Sequence, residues 1–255
     1  MKRESFGSRL GFILVSAGCA IGIGNVWKFP YICGAYGGAA FILIYLCFLV
    51  ILGIPVLVSE FAVGRGSHTS VAKCFDKLAP AGTCWKPLKS IGIIGCYMLM
   101  MFYTTVGGWM LYYCVKSLRG DFVGATPEAV TQAFSDMLGN APVMMLWMVI
   151  ICIIGFAVCF MGLQNGIEKI SKVMMSALLI IMVILAVHSV MMEGAGEGIR
   201  FYLVPDFQKI KDAGLGNVVF AALSQSFFTL SIGIGAMLIF GSYLDKSRSL
   251  TGEAV

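Results

Sequence analysis

The sequence predicts an all-α polytopic membrane protein with six transmembrane helices, of which the first and the sixth are broken in mid-membrane. Of its 255 residues, 59% are hydrophobic and only 12% are charged, whereas a soluble domain is about half apolar and a quarter charged. Six apolar segments approach or exceed the roughly 20 residues that a spanning helix needs. Two of them carry glycine clusters near their midpoints, although glycine costs about 1 kcal/mol relative to alanine inside a helix.

The six segments follow one another with short connections, so we expect residues 1–255 to form a single membrane domain. In the second connection on the outer side, Thr126-Pro-Glu predicts the start of a short outer helix. In the third, Phe201 to Lys211 predicts a surface turn followed by an amphipathic helix. The predicted spans cover residues 10–35, 39–63, 89–118, 141–161, 167–190 and 216–243.

The basic residues predict the orientation of the chain. If the N-terminus shares a side with the loop at 64–90, twelve lysines and arginines lie on that side and six on the other. The positive-inside rule then places both termini in the cytoplasm, in a plasma (inner) membrane crossed six times. This placement accounts for the net charge of +5 without a nucleic-acid partner. Ser16 to Cys19 faintly resembles a lipoprotein cleavage box, but the apolar run before it is short.

The two glycine-rich segments share a motif. Ile-Gly-Ile-Gly occurs at residues 21–24 and again at 232–235, and the six-crossing topology makes these two helices antiparallel. Paired interruptions of this kind are typical of inverted-repeat transporters. Small residues also allow close helix packing, and the residues alone leave both interpretations open.

An unwound helix at mid-membrane frees backbone groups that lipid cannot satisfy. Free amides at the start of the resumed half-helix suit an anionic group such as a carboxylate. Free carbonyls, together with the side-chain oxygens of Asn25 and Thr229, suit a hard cation. A zwitterionic amino acid bound with sodium would match both sets of groups.

Four stretches, RLGFILVSAGCAIGIGNVWKFPY, GGAAFILIYL, GIPVLVSEFAVGR and QSFFTLSIGIGAM, resemble the signatures of the neurotransmitter:sodium symporters. The resemblance covers almost the whole chain. It implies a leucine-transporter fold and sodium-coupled symport of an amino acid or amine. That fold has a five-helix repeat followed by its inverted copy. The chain would hold the first repeat, at about 9–190, and the first helix of the second, at about 216–243.

The resemblance also implies the residues of the sites. For the substrate, it implies that the carboxylate meets the amide near Gly24 and the Tyr103 hydroxyl, and that the pocket is lined in part by Leu99. The resemblance implies that the substrate amino group meets carbonyls around Ala20, Phe228 and Ser231. It also implies that Phe228 and Ile234 line the pocket. The first sodium site is implied at the Ala20 carbonyl and the side chains of Asn25 and Thr229, and the second at the carbonyls of Gly18 and Ile21. The resemblance leaves chloride dependence open. Tyr45, Gln225 and Thr229 match the positions of the family's chloride site.

Gly22 narrows the expected substrate. Amine-carrying members of the family have an aspartate there, which pairs with the substrate amine. Glycine supplies no carboxylate, so the substrate is expected to carry one, as an amino acid does. We therefore expect a neutral, hydrophobic amino acid. The resemblance implies gate cations at Arg3 and Lys28 and a supporting carboxylate at Glu60. Without the resemblance, Glu60 reads as an interfacial charge beside Arg65, and Tyr103 reads as an aromatic that packs in the bundle.

No nucleophile triad, metal motif or phosphate loop is found in the sequence, so we do not expect an enzyme. Because the helices that complete the family's sites fall outside this sequence, we expect the chain alone to be an incomplete transporter. A truncated gene, a gene fragment and a split transporter with a partner chain that supplies the missing helices are all open. The alternative is a non-transporting membrane subunit, or a truncated remnant, that packs with a partner in the lipid bilayer.

Overall fold

The structure, a computed structural model, describes residues 6, 8–22, 24–245 and 248–254, and these residues contain helices and turns but no strand. The chain divides into two compact units. The first comprises residues 1–92 and 163–255, and the second comprises residues 93–162. The prediction of a single membrane domain stays a prediction, and each unit is described by itself.

Fourteen α-helices occur among the described residues. Those of the first half are α1 (Arg9–Ala20), α2 (Phe29–Ala35), α3 (Ala39–Phe48), α4 (Ile54–Ser67), α5 (Val71–Leu78), α6 (Leu88–Arg119) and α7 (Pro127–Gly139). Those of the second half are α8 (Ala141–Phe160), α9 (Lys169–Met191), α10 (Ala195–Leu203), α11 (Phe207–Ala213), α12 (Leu215–Thr229), α13 (Ala236–Gly241) and α14 (Leu250–Ala254). Three π-helical turns join or extend them, at Gly24–Lys28, Leu49–Gly53 and Leu163–Glu168.

The membrane segments follow the predicted pattern. Four helical stretches in the described residues are long and apolar enough to cross a bilayer, and they cover Ala39–Ser67, Leu88–Arg119, Ala141–Phe160 and Leu163–Met191. The first segment passes the same test only as a pair of helices, Arg9–Ala20 and Gly24–Ala35, bent by 56°. The sixth segment consists of α12 and the six-residue α13. The protein is therefore a helical membrane protein whose first and sixth helices are interrupted.

Two connecting helices begin where local sequence predicts. Thr126 caps α7 by accepting a hydrogen bond from the Ala129 amide, and Asp206 caps α11 by accepting from the amides of Gln208 and Lys209. A side-chain oxygen at this position satisfies amides that have no partner inside the helix. Within the stretch Phe201 to Lys211, α10 continues to Leu203, the chain turns at 204–206, and α11 follows as the predicted helix.

The first unit has two separate hydrophobic clusters, and each contains part of an interrupted helix. One cluster packs α2, α3, α11 and α12 around buried Phe41 and Val218. The other packs α1, α4 and α13 around buried Phe12, Phe61 and Met237. The two clusters hold the halves of the interrupted helices in place.

The second unit is built from α7, α8 and the part of α6 after Gly92. Gly108 lies directly against α8, because a Cβ there would stand 2.8 Å from the Met148 amide nitrogen. Aromatic pairs extend this packing, with Tyr112 against Trp147 at 5.8 Å and Trp109 against Phe134 at 6.0 Å between ring centroids. The absence of a side chain at Gly108 thus permits the close approach of the two long helices.

In the first unit, α4 and α13 approach each other through a reciprocal glycine contact. A Cβ at Gly241 would lie 2.7 Å from both the Cα and the carbonyl oxygen of Phe61, and a Cβ at Gly64 would collide with the Leu238 carbonyl. Backbone atoms cannot move aside as the end of a flexible side chain can. The shorter half of the sixth helix is therefore fixed to α4 by backbone contact.

We predict that Gly241→Ala lowers the stability of the folded protein by about 1–3 kcal/mol, because overpacking against backbone forces the helices apart. The matched control is Gly34→Ala on α2, where a Cβ would meet nothing within 4 Å and where alanine favours the helix. Melting in detergent, followed by size-exclusion fluorescence, measures both. Equal melting temperatures for the two variants would contradict the prediction.

Candidate functional site

The first helix is interrupted just after Ala20. The Ile21 amide still donates to the Ala17 carbonyl at 2.6 Å, but the next bonds are the short-range ones from Gly22 to Ala20 (3.1 Å) and from Asn25 to Gly22 (3.0 Å). Ile23 lies outside the described residues. The regular i to i−4 ladder therefore stops for one turn, and carbonyls of the last turn of α1 become available to other partners.

The sixth helix is interrupted from Leu230 to Gly235. Gly233 and Gly235 have φ angles of 88° and 78°, and Ser231 has a φ of 50° although it is not a glycine. A residue with a Cβ is strained in this left-handed region. Ser231 is held there by its side chain, because its Oγ donates to the Cys19 carbonyl of α1 at 2.8 Å.

A chain of polar groups joins the two breaks. Asn25 Nδ2 donates to the Ala20 carbonyl at 2.9 Å, and Thr229 Oγ1 donates to Asn25 Oδ1 at 3.0 Å. Gln225 Nε2 lies 3.4 Å from both Asn25 Oδ1 and Thr229 Oγ1. We call Ala20, Asn25, Gln225 and Thr229 the polar link. Side chains 204 positions apart in the sequence thus meet between the breaks.

The polar link is rich in oxygen acceptors. Gln225 is only 1% exposed, and its buried Oε1 has no hydrogen-bond partner within the described part of the chain. A buried acceptor without a partner is costly, and a cation or a water would satisfy it. The Ala20 carbonyl, Asn25 Oδ1 and Thr229 Oγ1 are neutral oxygens of the kind that a hard cation binds. These are the atoms that the sequence assigns to the first sodium site.

The residues assigned to the second sodium site lie beside a cavity. Gly18 and Ile21 line a space of about 600 Å³ between α1 and α9, together with Cys19, Ser171 and Met175. Ser171 contributes a hydroxyl to a lining that is otherwise apolar. The assignment of the Gly18 and Ile21 carbonyls to sodium stays a prediction.

Several residues assigned to the substrate gather at the same breaks. The Phe228 ring lies directly against Gly24, where any Cβ would collide with it, and Lys28 Nζ stands 5.4 Å from the centre of that ring. Ser231 and Ile234 lie within the second break, and Gly22 lies within the first. The polar link is therefore bordered by an aromatic ring and a cation.

Glu60 of α4 contacts the second break. Its Oε1 accepts a hydrogen bond from the Gly233 amide at 2.5 Å. Gly233 has no helical partner for this amide because the helix is unwound there, so the carboxylate replaces a lost backbone bond. A cavity of about 250 Å³ lies next to this contact and is lined by Glu60, Gly233, Gly235 and Val71.

Four further predicted site residues lie in other parts of the chain. Leu99 and Tyr103 lie on α6 in the second unit, so their assignment to the substrate pocket stays a prediction. Arg3 lies outside the described residues. Tyr45 is buried in the cluster of Phe41 and Val218 and packs against Phe29 with ring centroids 5.1 Å apart.

Sequence reasoning missed the carbonyl of Cys19 as the partner of Ser231. A backbone acceptor leaves no signal in the residue type, and the cysteine side chain reads as apolar filling. A hydroxyl residue inside a glycine-rich interruption was the available signal, because such a residue often bonds to nearby backbone.

Comparison with known proteins gives a consistent result. A family model described as the sodium:neurotransmitter symporter family matches residues 3–133 and 128–255. An uncharacterized sodium-dependent transporter of Bacillus subtilis is 36% identical over 253 residues, which are 99% of this chain and 55% of that relative. The sodium-dependent serotonin transporter of Drosophila melanogaster is 29% identical over 295 residues, covering 99% of this chain and 45% of its own length.

A solved structure has the same fold. The crystal structure of MhsT in complex with L-phenylalanine matches with a TM-score of 0.88 and 38% sequence identity, over 99% of this chain and 56% of the MhsT chain. The chain thus spans about half the length of the relatives that it matches.

We predict that the Ser231 hydroxyl and the left-handed backbone at this position can be separated by two substitutions. Ser231→Gly removes the hydrogen bond to the Cys19 carbonyl but relieves the strain, whereas Ser231→Ala removes the bond and keeps the strain. We expect Ser231→Ala to be less stable than Ser231→Gly by about 1 kcal/mol. Melting in detergent measures the difference, and a more stable alanine variant would refute the backbone assignment.

Proposed function

The chain belongs to the sodium:neurotransmitter symporter family, and we propose that it works in sodium-coupled symport of a neutral, hydrophobic amino acid across the plasma membrane. The observation that carries this proposal is the polar link, in which Asn25 of the first break and Thr229 at the end of α12 share a hydrogen bond beside the Ala20 carbonyl. Sodium would replace the direct Thr229–Asn25 contact and bind the oxygens of both helices at once. The position of the two breaks relative to each other would then depend on the ion.

The substrate assignment rests on charge and on the apolar groups around the breaks. Gly22 offers no carboxylate to a substrate amine, so the substrate would bring its own. That carboxylate would meet sodium and the amide near Gly24, and the Phe228 ring beside Gly24 would cover the side chain. Similarity to MhsT, which was crystallised with L-phenylalanine, supports an aromatic or large aliphatic amino acid.

The proposed mechanism is alternating access. The broken helices provide carbonyls and amides near the middle of the membrane, and the flanking half-helices move as rigid parts around them. Glu60 keeps the second break from collapsing, because it binds the Gly233 amide from a neighbouring helix. On the basic-residue count, both termini would face the cytoplasm. Lys28, above the Phe228 ring, would then stand on the outer side of the substrate, and Arg3 on the inner side.

We predict that Thr229→Val weakens sodium binding about tenfold, since a hydrogen bond or ligand to a charged group is worth about 1.5–3 kcal/mol. Valine keeps the shape of threonine and removes only the oxygen. Thr131→Val is the matched control, because the Thr131 hydroxyl bonds within α7, to the Pro127 carbonyl. Sodium titration of radiolabelled leucine or phenylalanine binding in a scintillation-proximity assay gives the apparent affinity. Potassium and choline replace sodium in the blank.

The same titration distinguishes the alternatives. Binding of an amino acid that requires sodium supports symport, and repeating it with gluconate in place of chloride tests the anion. A folded assembly that includes the rest of the length of the relatives and still binds no amino acid at any sodium concentration would overturn the proposal. It would favour a non-transporting membrane subunit that packs with a partner chain.

We predict that Tyr103→Phe lowers amino-acid affinity about tenfold at saturating sodium, because the phenol would lose its hydrogen bond to the substrate carboxylate. The control is Tyr97→Phe on the same helix, at a tyrosine that is 67% exposed. Competition of unlabelled amino acid against a bound radiolabel measures both affinities. If the two variants bind as tightly as the unchanged protein, Tyr103 does not contact the substrate.

A further inference from the structure

The N-terminal end of α1 is bound by a buried carboxylate from the last described helix. The Glu253 side chain is 5% exposed, and its Oε1 lies 3.3 Å from Arg9 Nε and 3.3 Å from Arg248 Nη1. Arg9 Nη2 also donates to the Gly252 carbonyl at 2.9 Å. One arginine of α1 therefore holds both a side chain and a backbone oxygen of α14.

A third arginine extends the contact to α4. Arg65 Nη1 donates to the Arg248 carbonyl at 2.6 Å. We call Arg9, Arg65, Arg248 and Glu253 the N-terminal clasp. It joins α1, α4 and the segment 248–254. Each of its polar contacts is made by an arginine side chain, so the contacts can form and break without unfolding a helix.

Apolar packing accompanies the clasp. Leu250 and Ala254 of α14 pack against the cluster of Phe12 and Phe61. The buried Glu253 adds a charge that a nearby cation must balance.

A second buried acid lies on another side of α1 and differs in an important respect. Glu168 is 3% exposed, lies directly against Gly11 and is 3.5 Å from the Ser8 hydroxyl. Its charge is balanced by Lys172, one turn later in the same helical stretch, at 2.7 Å. Both acids therefore keep a cation in their own segment, Lys172 for Glu168 and Arg248 for Glu253, but Glu253 also forms an ion pair with Arg9 of α1. A movement of α1 would break that pair.

We propose that Glu253 is a positioning residue that fixes the end of α1 farthest from its break and thereby sets how readily that end moves. This inference rests on the proposed function in one respect, since alternating access requires one end of the binding region to open. When the clasp is closed, α1 stays against α4 and α13. When it is released, the contacts that remain at this end of α1 within the described part of the chain are apolar ones and those to Glu168.

We predict that Glu253→Gln increases amide hydrogen exchange in residues 8–15 about threefold or more in lipid nanodiscs without substrate, as expected for the loss of one partly exposed ion pair. The matched control is Asp76→Asn, which removes the Lys89–Asp76 pair between α5 and α6 and leaves α1 untouched. Mass spectrometry of peptic peptides measures the exchange of α1 and α14 separately. Unchanged exchange in Glu253→Gln, or an equal change in Asp76→Asn, would overturn the proposal.

Swapping the two charges of the ion pair provides a second test if Glu253→Gln folds poorly. The double variant Arg9→Glu with Glu253→Arg restores opposite charges, so it should exchange more slowly in residues 8–15 than Arg9→Glu alone. If it exchanges as fast as the single variant, the ion pair does not position α1. Arg9→Lys retains the charge but loses the contact to the Gly252 carbonyl, and should lie between the unchanged protein and Glu253→Gln.

A binding measurement then connects the clasp to sodium. If release of the clasp lowers the fraction of molecules competent to bind, Glu253→Gln should reduce the apparent sodium affinity about two- to threefold and leave the maximum amino-acid binding unchanged. A lower maximum with unchanged affinity would indicate loss of folded protein and would count against the positioning role. The amide hydrogen exchange experiment requires no sodium, so its result tests the positioning role of Glu253 even if the proposed symport is wrong.

Discussion

The hydrogen bond from Thr229 to Asn25 is the contact on which the central region of this protein depends. It is 3.0 Å long and joins the two interrupted helices, while Asn25 also holds the Ala20 carbonyl at the end of α1. An interruption in a membrane helix is stable only if its free backbone groups find partners. Here each break supplies partners for the other, so neither would persist if the other were an intact helix. An ion that binds the same oxygens therefore acts on both helices together.

Three further contacts keep the second break open, and each uses a different chemical group. Glu60 accepts from the Gly233 amide, Ser231 donates to the Cys19 carbonyl, and Gly235 lies against Val71, with 2.5 Å between a Cβ placed there and Val71 Cγ2. The first satisfies an amide, the second a carbonyl, and the third requires that a side chain be absent. Together they explain why a carboxylate, a hydroxyl and a glycine occur in helices that are otherwise apolar.

Much of this architecture could be predicted from the sequence, since the composition required a membrane and the glycine clusters at 18–24 and 231–235 indicated helices that are either interrupted or closely packed. Asn25 and Thr229 could be named as oxygen donors at the two breaks. Their assignment to one site required the family resemblance, because spacing along the chain does not bring residues 204 positions apart together. The close approach of α4 and α13 at Gly64 and Gly241 was not predicted, since a glycine in a membrane helix fits packing, unwinding and mobility equally well. The contact of Glu253 with Arg9 was also unpredictable, because the two residues lie at opposite ends of the sequence and no spacing pattern connects them.

The first helix is thus restrained in two chemically different ways along its length. At its break the restraints are neutral dipoles, and a small cation can compete for their oxygens. At Arg9 the restraint is a full ion pair with a buried carboxylate, and neither sodium nor a zwitterion of the proposed kind would displace it directly. A ligand at the break can therefore influence the clasp only by moving α1, and the clasp can influence the ligand only by holding α1 still. Because such coupling is reciprocal, the strength of the Arg9–Glu253 pair would set part of the free energy that the ion must supply to change the position of the helix.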